Sequence, residues 1–519
     1  MIFRGLQRKQ VMKLIFRPRQ INRIGACLFL FAVVCSGIAR AESPLPSDPL
    51  KLLKEGVSLH TLSNGMRVLF YRRGEAPVFS AVVGVRVGGS DETPGETGIS
   101  HMFEHMAFKG TQTVGTRNYA REKVLLEELE DIAARTDGAQ HLAPQDKARW
   151  EEIRAELSTL WVPEAFSRGM EQRGAVGLNA STSSEMTQYF VSLPRDAFEF
   201  WCSMESDRLL HPVLRQFYQE RDVVREEQRS RSEDDPVGKL LQTFYGVAFL
   251  VHPYRQPIIG YVPDIARLTA RKLDAFRRRY YVPGNIVLSL VGDVDPSRDL
   301  VLLERYFAPL VPGDSPPRSS LVEPAQEGQR DLTIKLDASP QLALGYRKPV
   351  YPDPDDARIS VMLEMLAGGR TSPVIRELVL QKRLATEVVS DEGPGQAYPN
   401  LAVFLMVPRA PHTNREVLRA FDGVLKGFSN GGARAEDLQM AKRTISMSYL
   451  QAMQSNSSLA SSLASSELVH GSWRALIDWY EQAMSVSLQD VKRVTNAYLV
   501  SERRTVGMLE KRGGDGGAQ

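Results

Sequence analysis

Two histidines and a glutamate stand within five residues, His101-Met102-Phe103-Glu104-His105. On a helix with about 3.6 residues per turn, positions i, i+3 and i+4 share a face. His101 and His105 can then grip one divalent cation while the Glu104 carboxylate reaches a water beside it. The chain has only eight histidines, so two on one turn next to a glutamate is a marked placement. A catalytic zinc takes three protein ligands and keeps one position open, so a third ligand must come from elsewhere. The segment Glu220-Arg-Asp-Val-Val-Arg-Glu-Glu227 offers it. Glu220 and Glu227 lie two helical turns apart on one face. Glu227 can ligate the metal, and Glu220 can hydrogen-bond a histidine or the opposing helix. Glu226 is an adjacent alternative, but on a helix it points about 100° away from Glu227. His252, in His252-Pro-Tyr-Arg, is read as a loop or pocket residue rather than a ligand. By itself the acidic segment would be a solvated helix face; the histidine turn is what makes it a ligand region.

These groups need elements to carry them. A helix is expected over 98–108. Asn64-Gly65 between alternating apolar residues predicts a hairpin, and further strands are expected at 79–87, 187–193 and 285–291. Helices are expected at 197–210, 216–230 and 270–280. The charged, Ala/Leu/Glu-rich stretch 122–160, broken near Asp137-Gly138 and Pro144, predicts an inserted pair of helices. Residues 308–329 hold five prolines and two glycines and form the best linker in the chain. Beyond it the pattern restarts, with strands near 332–336 and 342–346, a helix over 356–366, and long helices at 414–427, 435–453 and 457–482. Leu273-Asp-Ala-Phe-Arg-Arg-Arg-Tyr280 before Asn285-Ile-Val is matched by Val491-Lys-Arg-Val-Thr-Asn-Ala-Tyr498 before Arg504-Thr-Val. An internal duplication follows. It predicts an α+β fold of two related sandwich halves, 55–307 and 330–512, each with one sheet covered by helices. The duplication sets Ile359-Ser-Val-Met-Leu-Glu-Met365 over Ile99-Ser-His-Met-Phe-Glu-His105. Val361 and Met365 replace both histidines, so the second half can form no equivalent metal site.

The 519 residues carry 65 Lys/Arg and 62 Asp/Glu. Residues 1–41 alone hold eight of the basic groups and no acid, leaving 57 basic and 62 acidic residues for the rest. The net positive charge thus belongs to the leader and argues no affinity for nucleic acid. The leader has Arg17, Arg19 and Arg23 before an apolar run from Ile24 to Val34, then Ala39-Arg40-Ala41. This is the pattern of a cleaved signal peptide over 1–41, and it predicts a periplasmic or secreted protein. The run is short of the roughly 20 apolar residues that span a bilayer, and no later stretch is transmembrane in character. Cys27 and Cys35 leave with the leader. Cys202 then remains alone beside Trp201, a core residue with no disulfide partner.

His-x-x-Glu-His is the inverted zinc-peptidase order, and the chain resembles the pitrilysin family, closest to bacterial relatives of the mitochondrial processing peptidase. The resemblance covers roughly residues 55–510. It rests on Gly-Ile-Ser-His-Met-Phe-Glu-His-Met-Ala-Phe-Lys-Gly-Thr (98–111), Gly177-Leu-Asn-Ala-Ser-Thr-Ser183, Glu220 through Glu227, and His252-Pro-Tyr through Gly260. It implies zinc held by His101, His105 and Glu227, with Glu104 as general base and Glu220 as supporting carboxylate. It also implies an extended peptide added to a sheet edge at Asn179, Ala180 and Ser181, inside a clam-like chamber of two mostly antiparallel sheets. The activity implied is zinc metalloendopeptidase hydrolysis of peptides or unfolded segments. The alternative is a catalytically silent binding or structural subunit. The chain departs from the family twice. Its His105-to-Glu227 segment is longer, which the helical insertion explains. Many relatives also carry an Arg and a Tyr, seven residues apart, in the second half; here Val379 and Thr386 stand at those positions. In some relatives a zinc-less subunit supplies those groups, so a heterodimer with a related partner is expected, with a homodimer as the alternative.

Overall fold

The computed structural model of the chain describes residues 49–74 and 76–512. The leader, with Cys27 and Cys35, lies outside the described residues. Among those described, no helix is long and apolar enough to cross a membrane.

Eleven strands are described: β1 Val57–Thr61, β2 Arg67–Arg72, β3 Val78–Val85, β4 Val176–Thr182, β5 Thr187–Pro194 and β6 Ile286–Gly292, then β7 Arg330–Leu336, β8 Gln341–Lys348, β9 Ala385–Gly393, β10 Asn400–Pro408 and β11 Arg504–Lys511. They form a six-stranded sheet in the order β1-β2-β6-β3-β5-β4 and a five-stranded sheet in the order β7-β11-β8-β10-β9. Without β1, the two orders match strand for strand. The match extends to direction: β2–β6 and β7–β11 are the parallel pairs, and every other pairing is antiparallel. Shared order, shared chain sequence and shared pairing are the signature of a duplicated unit. The β1–β2 hairpin turns at Asn64-Gly65, where Gly65 takes a left-handed φ of +91° and the Asn64 amide donates to the Phe307 carbonyl at 2.8 Å.

Eleven helices matter below: α1 Ile99–Met106, α2 Tyr119–Arg135, α3 Pro144–Leu160, α4 Phe198–Leu210, α5 Phe217–Ser232, α6 Pro236–Ala248, α7 Ala270–Tyr280, α8 Pro354–Ala367, α9 Asn456–His470, α10 Ala475–Ser485 and α11 Leu488–Tyr498. The side chains of β3 alternate between two cores, as a strand buried on both faces must. Phe79, Ala81, Val83 and Val85 pack with Met102, Phe103, Phe198 and Trp201. Val82 instead packs with Leu69, Val287 and Val291 against Leu459, Leu463, Ala464 and Leu468 of α9. The far face of the first sheet is therefore covered by a helix from the second half. The second sheet receives the converse: Leu240, Phe244 and Ala248 of α6 pack on Ala343, Leu401, Val403 and Leu509. Each half lends a helix to the other.

The insertion forms its own small core, in which Leu125, Leu129 and Ile132 of α2 meet Trp150, Ile153 and Leu157 of α3. Most of the segment joining the halves has no regular structure, yet it is fastened to both. The Arg318 guanidinium donates to the Leu468 carbonyl at 3.0 Å. The Glu323 carboxylate accepts the backbone N–H groups of Leu250, Val251 and His252 at 2.7, 2.9 and 2.9 Å and pairs with Arg347 at 2.9 Å. One expectation is corrected. The single helix over 457–482 is two, α9 and α10, because Gly471 (φ +79°) takes the left-handed conformation that ends a helix. Cys202 is fully buried in α4 as a free thiol.

Candidate active site

The helix α1 is short, and its placement depends on its start. Gly98 lies at φ +88° with Gly260 at φ +87° beside it. A Cβ on Gly98 would come within 2.4 Å of the Ile259 carbonyl, and one on Gly260 within 2.4 Å of the Thr97 carbonyl. Only glycine permits this approach, and it seats the first turn of α1 against the loop that follows His252. The buried Glu92 carboxylate accepts the Gly98 and Ser100 N–H groups at 2.7 and 2.9 Å, satisfying donors a helix start leaves open. Burial pushes the Glu92 carboxyl up to about 8 against those bonds.

On this base His101 and His105 stack edge to face with ring centroids 4.7 Å apart. Both turn Nε2 toward Glu227 of α5: Glu227 Oε2 lies 3.9 Å from His101 Nε2 and 3.5 Å from His105 Nε2. One ligand atom from each of the three residues falls within 4.8 Å of the others. Glu220, two turns earlier on the same helix, accepts from His105 Nδ1 at 2.9 Å, which leaves Nε2 of that ring for a metal. Lys109 pairs with Glu220 at 2.5 Å, and Arg231 pairs with the other oxygen of Glu227. Glu226 turns away, exposed, toward Arg229 at 3.9 Å.

The electrostatics sort the imidazoles. Burial, then the neighbouring His105, lowers His101 to about 4, so its ring is neutral and ready to ligate. His105 is also penalised by burial, but the Glu220 and Glu227 carboxylates outweigh that and lift it to about 9. The His105 hydrogen bond in turn draws Glu227 down to about 2 despite burial. The proton on His105 is thus held by two carboxylates, where a divalent cation would displace it. Glu104 lies on the same face but outside the ligand trio. Burial raises its pKa, and a hydrogen bond from the Thr182 hydroxyl opposes the rise. Thr182 is the last residue of β4, so the acid is anchored to the free edge of the first sheet.

Asn179, Ala180 and Ser181 occupy that edge strand. Asn179 and Ser181 are exposed and Ala180 is buried; Asn179 Oδ1 accepts the Ala180 N–H at 2.8 Å. His252 is not at the metal group. It is buried in a ring cluster with Tyr254 and Tyr398, and its Nδ1 accepts the Tyr254 N–H at 3.2 Å.

Known proteins share sequence and fold with most of this chain. A family model described as Insulinase (Peptidase family M16) matches residues 67–134, and one described as Peptidase M16 inactive domain matches residues 267–445. Zinc protease PqqE of Helicobacter pylori is 26% identical over 459 residues, covering 87% of this chain and 92% of that protein. An uncharacterized zinc protease of Mycobacterium tuberculosis is 27% identical over 477 residues, covering 90% and 96%. The chain belongs to the M16, or pitrilysin, family. The crystal structure of a protease from Helicobacter pylori shares the fold, with a TM-score of 0.74 at 24% identity over 88% of this chain and 99% of that one.

The M16 pattern reaches its limit in the second half. Val361 and Met365 of α8 are buried core residues. Val379 lies in a helical turn over 375–381, packed against the second core. Thr386 is exposed on β9, its hydroxyl directed to the Val407 carbonyl at 3.3 Å. Sequence reading missed Glu92, Lys109, Thr182 and Arg231 as supports of the site. Lys109 and Thr182 lay inside segments already singled out, Arg231 pairs with Glu227 one turn away on the same helix, and Glu92 acts through contacts to the start of α1.

Proposed function

We propose that this chain is an exported zinc metalloendopeptidase that hydrolyses extended peptides or unfolded segments at the face formed by α1 and α5. The observation that carries the reading is the convergence of His101, His105 and Glu227 to within 4.8 Å beside a fourth acid, Glu104, that is not a ligand. Two imidazole nitrogens and a carboxylate oxygen suit zinc, and His105 Nδ1 is already committed to Glu220 as a ligating histidine requires. When bound, zinc would supply Lewis-acid polarisation of a water and of the scissile carbonyl.

The remaining steps belong to the chain. The raised Glu104 carboxylate accepts a proton from the attacking water and returns it to the leaving amine. Thr182 holds Glu104 at the end of β4, so base and substrate edge are fixed to each other. A peptide added as a strand beside Asn179, Ala180 and Ser181 would present its backbone there. Exchange of Glu104 for glutamine should retain zinc while cutting peptide cleavage by about 10²–10⁴-fold. Ordinary turnover in that variant would refute the assignment.

The signal-peptide pattern of residues 1–41 supports a periplasmic or secreted location. The second half offers neither the Arg nor the Tyr that many relatives use, since Val379 and Thr386 stand there. This supports a heterodimer with a related zinc-less chain, with a homodimer as the alternative; full activity of the isolated monomer would exclude both. The competing reading, a catalytically silent subunit, predicts lost ligands, whereas His101, Glu104, His105 and Glu227 are all present.

A further inference from the structure

A cavity of about 140 Å³ lies in the second half, walled by α8, the end of β8, β9, α9 and α10. We propose that it binds a small primary alkylammonium ion, a free amine or the side chain of a lysine, with the acids of α8 and β9 supplying the opposing charge and Asn400 a neutral acceptor. Binding there needs neither zinc nor peptide cleavage, so it goes beyond the peptidase reading.

The charges on the wall favour a cation. Asp356, Ser360, Leu363 and Glu364 line the cavity from α8, at the i, i+4, i+7 and i+8 spacing of one helical face. The strand β9 adds Glu392 and the exposed Asp391. Among the described residues of the lining, one ammonium, that of Lys348, faces these acids. Its side chain is buried, and it pairs with Asp356 and, at 2.7 Å, with Glu392. His470 adds no charge at neutral pH, because burial lowers its imidazole to about 4. Burial raises the Glu392 carboxyl; Lys348 opposes the rise and Asp356 adds to it. The lining thus carries more negative than positive charge, and charge held away from water is costly until it is paired.

A second observation points to a guest that donates hydrogen bonds. Asn400 is only 3% exposed and lines the same cavity. Its Nδ2 donates to the Gly395 carbonyl at 2.6 Å, while its Oδ1 is a buried acceptor without a hydrogen-bond partner. An orphaned acceptor beside carboxylates calls for N–H groups. The acids do not converge as metal ligands do: among the described residues, the trio close enough to hold an ion is His101, His105 and Glu227. The rest of the wall includes Tyr449, Leu476 and Trp479, and the Trp479 indole donates to Asp356 at 3.0 Å. Aromatic and apolar surface next to carboxylates suits an ammonium on a short alkyl stem. The room also fits, since a cavity of about 150 Å³ holds a benzene molecule. A four-carbon ammonium, the length of a lysine side chain, is of similar size.

The test is calorimetric titration of the full chain, with and without zinc, by n-butylammonium, tetramethylammonium, n-butanol and Nα-acetyl-lysine methylamide. One n-butylammonium should bind per chain, with the same affinity in both zinc states. The uncharged n-butanol, and tetramethylammonium with its charge but no N–H, should each bind at least about tenfold more weakly, the worth of a charge-assisted hydrogen bond. Glu364→Gln should weaken n-butylammonium about tenfold. Ser448→Phe, which fills the cavity from its other wall, should abolish binding. Tighter binding of the lysine derivative would mark a peptide side chain as the guest, and tighter binding of n-butylammonium a free amine. Four results would each overturn the site: no binding of either amine by the wild type, binding only in the presence of zinc, binding that n-butanol matches, or binding that both variants retain. The wild-type comparison of the probes decides even if a variant fails to fold. Cleavage is not read at any point, so failure here leaves the peptidase reading standing.

Discussion

The helices α1 and α8 occupy matching places in two copies of one sheet topology, and they are opposites. In α1, His101 and His105 meet Glu227 across a partly open face. In α8, Val361 and Met365 stand at those positions and lie in the core. The equivalent of Glu104 persists as Glu364, yet it lines a cavity of about 140 Å³ with Lys348, Asp356 and Glu392. There Lys348 pairs with Asp356 and, at 2.7 Å, with Glu392. Position in the fold therefore does not by itself bring metal-ligating groups together. The difference lies in two imidazoles and in what the neighbouring helix brings to face them.

The exchange of helices between halves sets the largest expected structural effect. Phe244 of α6 is fully buried on the second sheet although it belongs to the first half. Phe244→Ala should cost about 3–5 kcal/mol, and thermal unfolding should stay a single transition because each sheet depends on the other half's helix. Two resolved transitions, with only one displaced, would show that the halves are energetically separate. A next test makes the second half resemble the first. Val361→His with Met365→His should bind no zinc and should lose roughly 1–3 kcal/mol per buried imidazole; stoichiometric zinc in that variant would break the contrast drawn here. A smaller effect sharpens the first half. Glu220→Gln should weaken zinc binding by about 10–100-fold, as loss of a ligand's carboxylate partner does, while Glu226→Gln should leave it unchanged. Equal affinities for the two variants would remove Glu220 from its supporting role.

Much of this was legible in the sequence, for identifiable reasons. The histidine turn is a five-residue pattern on one helix, and Glu220 and Glu227 share one face, which reads as more than a solvated acidic face only beside that turn. The duplication showed in the helix-to-strand units ending at Tyr280 and Tyr498, and α7 and α11 do precede β6 and β11. What escaped depends on contacts distant in sequence. The helix α6 buries its apolar face on the other half's sheet, which no local pattern announces. Neither β9 nor β10 is among the expected strands; in β9 the charged Glu387, Asp391 and Glu392 break the apolar pattern. Thr182 supports Glu104 across 78 residues of chain. The end of α9 at Gly471 was readable in principle, but the apolar pattern on either side of it read as continuous.

Zinc titration of the purified chain by calorimetry, with metal content measured in parallel, addresses the central claim most directly. One ion per chain should bind, and binding should be lost in Glu227→Ala and in His101→Val with His105→Met, while Glu364→Gln, at the second half's counterpart of Glu104, should bind as the wild type does. Absence of stoichiometric zinc in the wild type, or zinc that stays bound without Glu227, would contradict the account.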